Sequence, residues 1–251
     1  MKKVLVPIYR IFLSSLPYIY LRPDKWLFRF VRFINEYFIY KRQAKNPNFK
    51  TQYNFWYPCL SDRTTNTILD PVYFFQDTWA ASKMFQYKPT SHVDIGSAVK
   101  TMGILSQFVP ITMIDIRPIL LKLNGLDFKE GTILDLPFPD GSQESVSSLC
   151  VIEHIGLGRY GDPIDPWGSE KSIKEIQRIT KTNGIILFSV PIDDESRVYF
   201  NAHRSFTKQY IIQLFSDCEL LEDKYIYKND LVDTYDQSRG FGIGLYMFRK
   251  K

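Results

Sequence analysis

Cysteine is scarce in this chain, and glycine is missing from the places where nucleotide-binding loops need it. The three cysteines, Cys59, Cys150 and Cys218, are odd in number, far apart and never in C-x-x-C spacing. That pattern argues against a disulfide framework or a zinc site, so no metal is expected, and it implies reduced thiols in a cytosolic setting. Cys150 falls inside an apolar run, the usual place of a buried, inert thiol. No segment is long enough to span a bilayer: the longest charge-free run, residues 101–114, is broken by Pro110, whereas a spanning helix needs roughly twenty apolar residues. Residues 1–21 begin basic and turn apolar, but Pro7, Arg10 and Pro17 interrupt them and no small-residue cleavage site follows, so no signal peptide is expected. There is no G-K-[ST] phosphate loop. The dinucleotide pattern G-x-G-x-x-G also fails after Gly96, because Ala98 and Thr101 stand where glycines belong. Both absences count against ATP and NAD.

What is present is an ordinary globular composition, 45% hydrophobic and 24% charged over 251 residues, enough for one α/β domain with an appendage. The net charge of +5 hides an asymmetry. Residues 1–50 hold eleven Lys and Arg against two acids, a net +9, which leaves the remainder at −4. Within that segment, residues 24–42 have helical periodicity. Lys25, Arg29, Arg32 and Glu36 form one polar stripe, and Trp26, Leu27, Phe30, Val31, Phe33, Ile34, Tyr37 and Phe38 cover most of the rest. So wide an apolar face must be covered by the protein itself, by a partner protein, or by an anionic membrane surface attracting the basic residues. The aromatics follow a helical face and not an open stacking platform, which argues against nucleic acid. The domain division is therefore a basic amphipathic extension over 1–50 and a second domain over 51–251, with its sheet core from about residue 90.

Ser91-His92-Val93-Asp94-Ile95-Gly96-Ser97 reads as a short strand closed by an acid and a glycine. Three more apolar runs ending in carboxylates follow: one at Asp115, a third over residues 131–135 at Asp135, and a fourth over residues 145–153 at Glu153. Alternating strand and helix patterns imply a parallel sheet. Ligands of such sheets bind beyond the carboxyl ends of the strands. Acids along that crevice suit a ligand carrying hydroxyls, an amine or an amino-purine, and suit a polyphosphate badly. Residues 70–86 read as an aromatic helix capping the sheet or lidding a pocket, 166–181 as a helix begun by Pro166, 183–191 as a fifth strand, and 203–217 as a helix opened by His203-Arg204. Two closing strands follow.

The order of strands and acids, the phrase Leu134-Asp135-Leu136-Pro137-Phe138-Pro139-Asp140, the run Val151-Ile152-Glu153-His154-Ile155 and the closing strand pair resemble a class I S-adenosylmethionine-dependent methyltransferase. More narrowly, Asp94-Ile95-Gly96-Ser97, residues 153–162 and His203-Arg204-Ser205 resemble a methyltransferase-like domain-of-unknown-function family found in polysaccharide-biosynthesis settings. The resemblance implies a Rossmann-like three-layer α/β sandwich with a mostly parallel seven-stranded sheet, a C-terminal antiparallel strand pair and an N-terminal helical extension.

It also implies S-adenosylmethionine as cofactor. Gly96 and Ser97 would approach its methionine part, Asp94 would orient its amino group, and Asp115 would accept from the ribose hydroxyls. Asp135 and Leu136 would flank the adenine. The cofactor carries no pyrophosphate, so it needs fewer glycines than NAD, and its donors want acceptors. In one respect the chain departs from the resemblance: Ala98 and Lys100 replace the later glycines of the usual acid-x-Gly-x-Gly-x-Gly loop.

His154, after the fourth strand, is either the base that removes a hydroxyl proton or a residue that orients the neighbouring loop. The loop over 156–167 reads as a substrate gate with Tyr160 and Asp162 as polar contacts. His203 and Arg204, at a helix start that attracts anions, would hold a phosphate or carboxylate of the acceptor. The expected activity is methyl transfer to a hydroxyl of a sugar, glycan intermediate or related small molecule, in the cytoplasm or at the inner face of the membrane. The alternative is a non-catalytic, methyltransferase-like binding protein of a glycan-assembly complex.

Overall fold

The computed structural model describes residues 23–251, and these fall into two compact units divided between Ile68 and Leu69. The reading of residues 1–21 lies outside the described residues. In the first unit, helix α1 runs Pro23–Gln43. Trp26 stacks on Phe30 at 5.2 Å, and Phe33 and Tyr37 both meet the Trp56 ring edge-on. A second apolar row, Leu27, Phe28, Val31 and Phe38, is exposed. No described helix is long and apolar enough to cross a membrane.

The second unit opens with α2, Pro71–Tyr87. Its boundaries are set locally: the Asp70 side chain accepts from the amides of Val72 and Tyr73, Pro71 occupies the first turn, and Lys88 closes it in the left-handed conformation. Strands β1 (His92–Ile95), β2 (Ile111–Asp115), β3 (Leu126–Glu130), β4 (Gln143–Leu149) and β5 (Thr180–Ile192) run parallel in the order 3-2-1-4-5. Helices α3 (Val99–Leu105) and α4 (Gly168–Ile179) lie between them in sequence. Next come β6 (Arg197–Tyr199) and β7 (His203–Ser205), a separate hairpin, then α5 (Lys208–Leu214). Finally β8 (Cys218–Tyr227), β9 (Asp230–Val232) and β10 (Gly242–Lys250) extend the sheet, with β10 antiparallel between β5 and β8 and the short β9 on the edge.

Alternation along the central strands makes three layers. On β5, Ile186, Phe188 and Val190 join one core with Ile173 and Ile176 of α4 and Ile211 of α5, while Leu187 joins the opposite core with Trp79 and Met84 of α2 and Met102 of α3. On β10, Tyr246 and Phe248 face the first core, and Leu245 and Met247 the second. This is the period-two pattern of a sheet covered on both faces.

Four expectations need correction. The sheet has eight strands, β9 being the addition. The third strand is Leu126–Glu130 and not residues 131–135, which form a turn closed by a Thr132–Asp135 bridge. The helix after Pro166 starts only at Gly168. His203-Arg204 opens no helix: both lie in β7, and the following helix is capped by Thr207, whose side chain accepts from the Tyr210 amide. The alternation of Tyr199, His203 and Ser205 around a short turn is a two-stranded signal too brief to stand out beside the helical run after it.

Candidate functional site

The parallel topology brings the carboxyl ends of β1, β2 and β4 side by side, with β1 between the others. At the first, Gly96 turns the chain with φ 71°, and a Cβ there would stand 2.9 Å from a Val151 methyl. Only glycine meets both demands, so the chain can turn sharply here directly beneath Val151. The Asp94 carboxylate is fully buried beneath the turn, accepting from the Ser97 amide at 3.1 Å and the Ser147 hydroxyl at 2.5 Å. The Ser97 hydroxyl in turn accepts from the Leu149 amide at 3.0 Å, stapling the turn to β4.

His92 extends this network. Its Nε2 lies 2.8 Å from Ser147 Oγ and its Nδ1 lies 2.8 Å from Ser145 Oγ. Ser147 spends its proton on Asp94, so His92 donates through Nε2 and accepts at Nδ1. Burial lowers the His92 pKa to about 3 and raises that of Asp94 to about 6. A neutral imidazole therefore supports a carboxylate that is ionised at neutral pH.

At the end of β2, Asp115 is partly engaged by its own loop. Its Oδ1 accepts from the Arg117 amide at 2.8 Å, and the guanidinium reaches both oxygens at 3.3 Å. Arg117 also lies over the Tyr160 ring at 4.6 Å, and Arg159 lies over the same ring at 5.1 Å. Tyr160 thus links the ends of β2 and β4, because its ring also meets His154 edge-on at 5.6 Å. Asp135 is exposed in the turn beyond β3, and not at a strand end. Leu136 is buried; its amide donates to Glu175 and its carbonyl accepts from Arg178.

Past β4 the chain takes one left-handed residue, Cys150 at φ 54°, and a short helical turn over Ile152–His154. A cavity of about 260 Å³ opens here, lined by Glu153, His154, Tyr160 and His203, with Tyr73 of α2 and Phe241 also on its wall. His154 donates through Nδ1 to the Ala202 carbonyl at 2.6 Å, which leaves the Nε2 lone pair 3.7 Å from a Glu153 oxygen. Burial lowers the His154 pKa. Glu153, only 2% exposed, has an Oε2 with no hydrogen-bond partner, and burial pushes its pKa up to about 8. The Nε2 of His203 is likewise buried and unpartnered, in a ring set between Tyr199 and Phe241.

Two residues read as acceptor contacts are spent within the protein. Arg204, 7% exposed, donates to the carbonyls of Ile155, Asp165 and Pro166 and to the Ser169 hydroxyl. Asp162 accepts from the amides of Gly156 and Tyr160. Between them they fix the base of the 156–167 loop, where Gly156 also packs its bare Cα against the Asp165 carbonyl. The reading as a gate therefore narrows to the tip that carries Arg159 and Tyr160. The structure also brings Glu153, Tyr73 and Phe241 to the cavity wall and Arg117 to the end of β2, none of which the sequence singled out as a site residue. Glu153 was in plain view as the acid closing the fourth apolar run, but the neighbouring histidine drew the chemical role.

Residues 139–237 match a family described as Caenorhabditis protein of unknown function, DUF268. No curated protein matches the chain. Solved structures that resemble it include a putative sarcosine dimethylglycine methyltransferase from Galdieria sulphuraria, 15% identical, with a TM-score of 0.52 over 71% of this chain and 86% of that one. The N-methyltransferase NodS from Bradyrhizobium japonicum is 13% identical, with a TM-score of 0.52 over 72% and 97%. The YcgJ protein from Bacillus subtilis is 14% identical, with a TM-score of 0.51 over 71% and 99%. The chain has the Rossmann-like α/β fold that these structures share.

Proposed function

We propose that the chain transfers a methyl group from S-adenosylmethionine to a hydroxyl of a sugar, glycan intermediate or related small molecule. The carrying observation is a bare glycine turn and a strand-end carboxylate, Gly96 and Asp115, set beside a cavity that holds an acid and a histidine at the next strand end. When bound, S-adenosylmethionine supplies an electrophilic methyl group on sulfur. Gly96 and Ser97 would lie against its methionine part, Asp94 would brace their turn from below, and Asp115 would take the ribose hydroxyls. Asp115 can do so because a carboxylate offers about four lone-pair sites and Arg117 leaves part of that capacity open. Asp135, exposed in its turn, and the buried Leu136 would flank the adenine. Calorimetric titration with S-adenosylhomocysteine tests this reading. We expect one site per chain, and no heat at millimolar ligand would overturn it in favour of the non-catalytic alternative.

The exposed row Leu27, Phe28, Val31 and Phe38, on a helix with Lys41 and Arg42 in its last turn, supports association of the extension with an anionic membrane or a partner protein. Sedimentation with acidic vesicles should fall as salt rises, since screening acts over about 10 Å at 0.1 M. Equal sedimentation of the full chain and a variant lacking residues 1–47 would remove the membrane arm.

A further inference from the structure

The residues lining the cavity beside β4 include a buried carboxyl with one oxygen that has no hydrogen-bond partner among the described residues. Buried carboxylate oxygens are almost always hydrogen-bonded, and one that is not marks a place for a ligand donor or for catalysis. Glu153 Oε2 is such an atom, in a residue 2% exposed on the wall of a cavity large enough for a monosaccharide-sized group. The groups facing it come from several elements: the Cys150 thiol at the end of β4, His154 in its own turn, Arg159 and Tyr160 from the following loop, Tyr73 from α2 and His203 from β7. Two acids, Glu153 and Asp70, and one guanidinium, Arg159, share this wall, and Asp70 is already engaged by the amides of Val72 and Tyr73. A cationic acceptor would meet Arg159, and Glu153 once it has lost its proton would repel an anionic one, so the wall favours a neutral, hydroxyl-bearing acceptor whose rings or carbons lie on Tyr73 and Phe241.

We propose that Glu153, and not His154, is the catalytic base, taking the proton of a neutral hydroxyl acceptor bound in this cavity. The inference rests on the methyl-transfer reading above. Glu153 accepts the hydroxyl proton as the acceptor oxygen forms its bond to the methyl carbon; the carbon–sulfur bond breaks and sulfur keeps its electron pair as a neutral thioether. The geometry orders the two candidate bases. His154 has its Nδ1 fixed on the Ala202 carbonyl, and burial among Arg159 and His203 makes its ring less basic than usual. Desolvation makes Glu153 more basic than an ordinary carboxylate, and a base works best when its proton affinity lies near the working pH. His154 then acts as a positioning residue, 3.7 Å away.

The test uses the full chain and named probes. In wild type, the infrared carbonyl band of a protonated carboxyl should titrate near pH 8, shift on addition of methyl α-D-glucopyranoside but not methylamine, and be absent in Glu153→Gln. With labelled S-adenosylmethionine and a panel of methyl glycosides, transfer should rise through about pH 8 and fall at least 100-fold in Glu153→Gln. His154→Gln should lower the rate but keep the same alkaline rise. A band unmoved by every glycoside, a preference for methylamine, or a Glu153→Gln rate within threefold of wild type would each overturn the proposal. Absence of S-adenosylhomocysteine binding would overturn the methyl-transfer reading instead, and the wild-type infrared response to glycosides would still decide whether this cavity holds a hydroxyl ligand.

Discussion

The ends of β1 and β2 on one side, and the end of β4 with the β6–β7 hairpin on the other, handle their polar groups in opposite ways. On the first side every acid has internal partners: Asp94 has Ser97 and Ser147, and Asp115 has Arg117. On the second side Glu153 Oε2 and His203 Nε2 are buried without partners, in residues that line the cavity. Internal partners hold a recognition surface ready at low cost, because a ligand exchanges one hydrogen bond for another. Orphaned groups carry a standing desolvation penalty of about 1–3 kcal/mol, which is retained where chemistry or binding uses it. In the proposed function, the first side is a pre-formed cofactor surface and the second an acceptor side held under tension.

Arg204 sharpens the contrast most, since like Asp162 it is a charged residue of this side that is spent on internal partners. Arg204→Ala should destabilise the fold by about 3 kcal/mol or more, because four carbonyl and hydroxyl acceptors lose a charged donor. Arg204→Lys should recover little of it, since an ammonium cannot reproduce the planar fork. Chemical denaturation measures both, and a loss under 1 kcal/mol would return Arg204 to the acceptor's contacts.

Glu153→Gln tests the tension directly. The folded pKa of about 8 lies above the ordinary 4.5, so between these values the folded state holds a proton that the unfolded state has lost. Wild-type stability therefore falls as pH rises from 4.5 through 8. The variant should become progressively more stable than wild type over that window, by a few kcal/mol at about 1.4 kcal/mol per pKa unit, and level off above it. Melting temperatures at pH 5, 7 and 9 that show no such divergence would mean that Glu153 is satisfied.

On the cofactor side, Asp115→Ala should weaken S-adenosylhomocysteine binding by about 1.5–3 kcal/mol, the scale of hydrogen bonds to a charged group. Arg117→Ala should act in the opposite direction and more weakly, tightening binding by about 0.2–1 kcal/mol, because it frees Asp115 from a pair whose guanidinium is 60% exposed. Calorimetry on the two variants decides it. Weaker binding in Arg117→Ala would make Arg117 part of the cofactor site instead of its competitor.

Local patterning determined the layers of this protein. Apolar runs of the right length marked β1, β2, β4 and β5, the first three closed by acids, and helical spacing marked α1, α2 and α4, because burial on one or two faces imposes its period directly on the chain. Gly96 was legible as the glycine closing the first apolar run, while its left-handed turn under Val151 emerged only from the tertiary structure. The third strand was not legible, since Leu126–Glu130 is half polar on an outer strand while the turn after it is more apolar. Partnership was settled only by the tertiary structure. Arg204 and Glu153 look equally available in the chain, but the first is enclosed by carbonyls of residues 155–166 and the second is left facing a void by strands that meet from distant positions. Which buried charge is satisfied depends on what long-range packing places within 3 Å of it, and sequence spacing does not encode that distance.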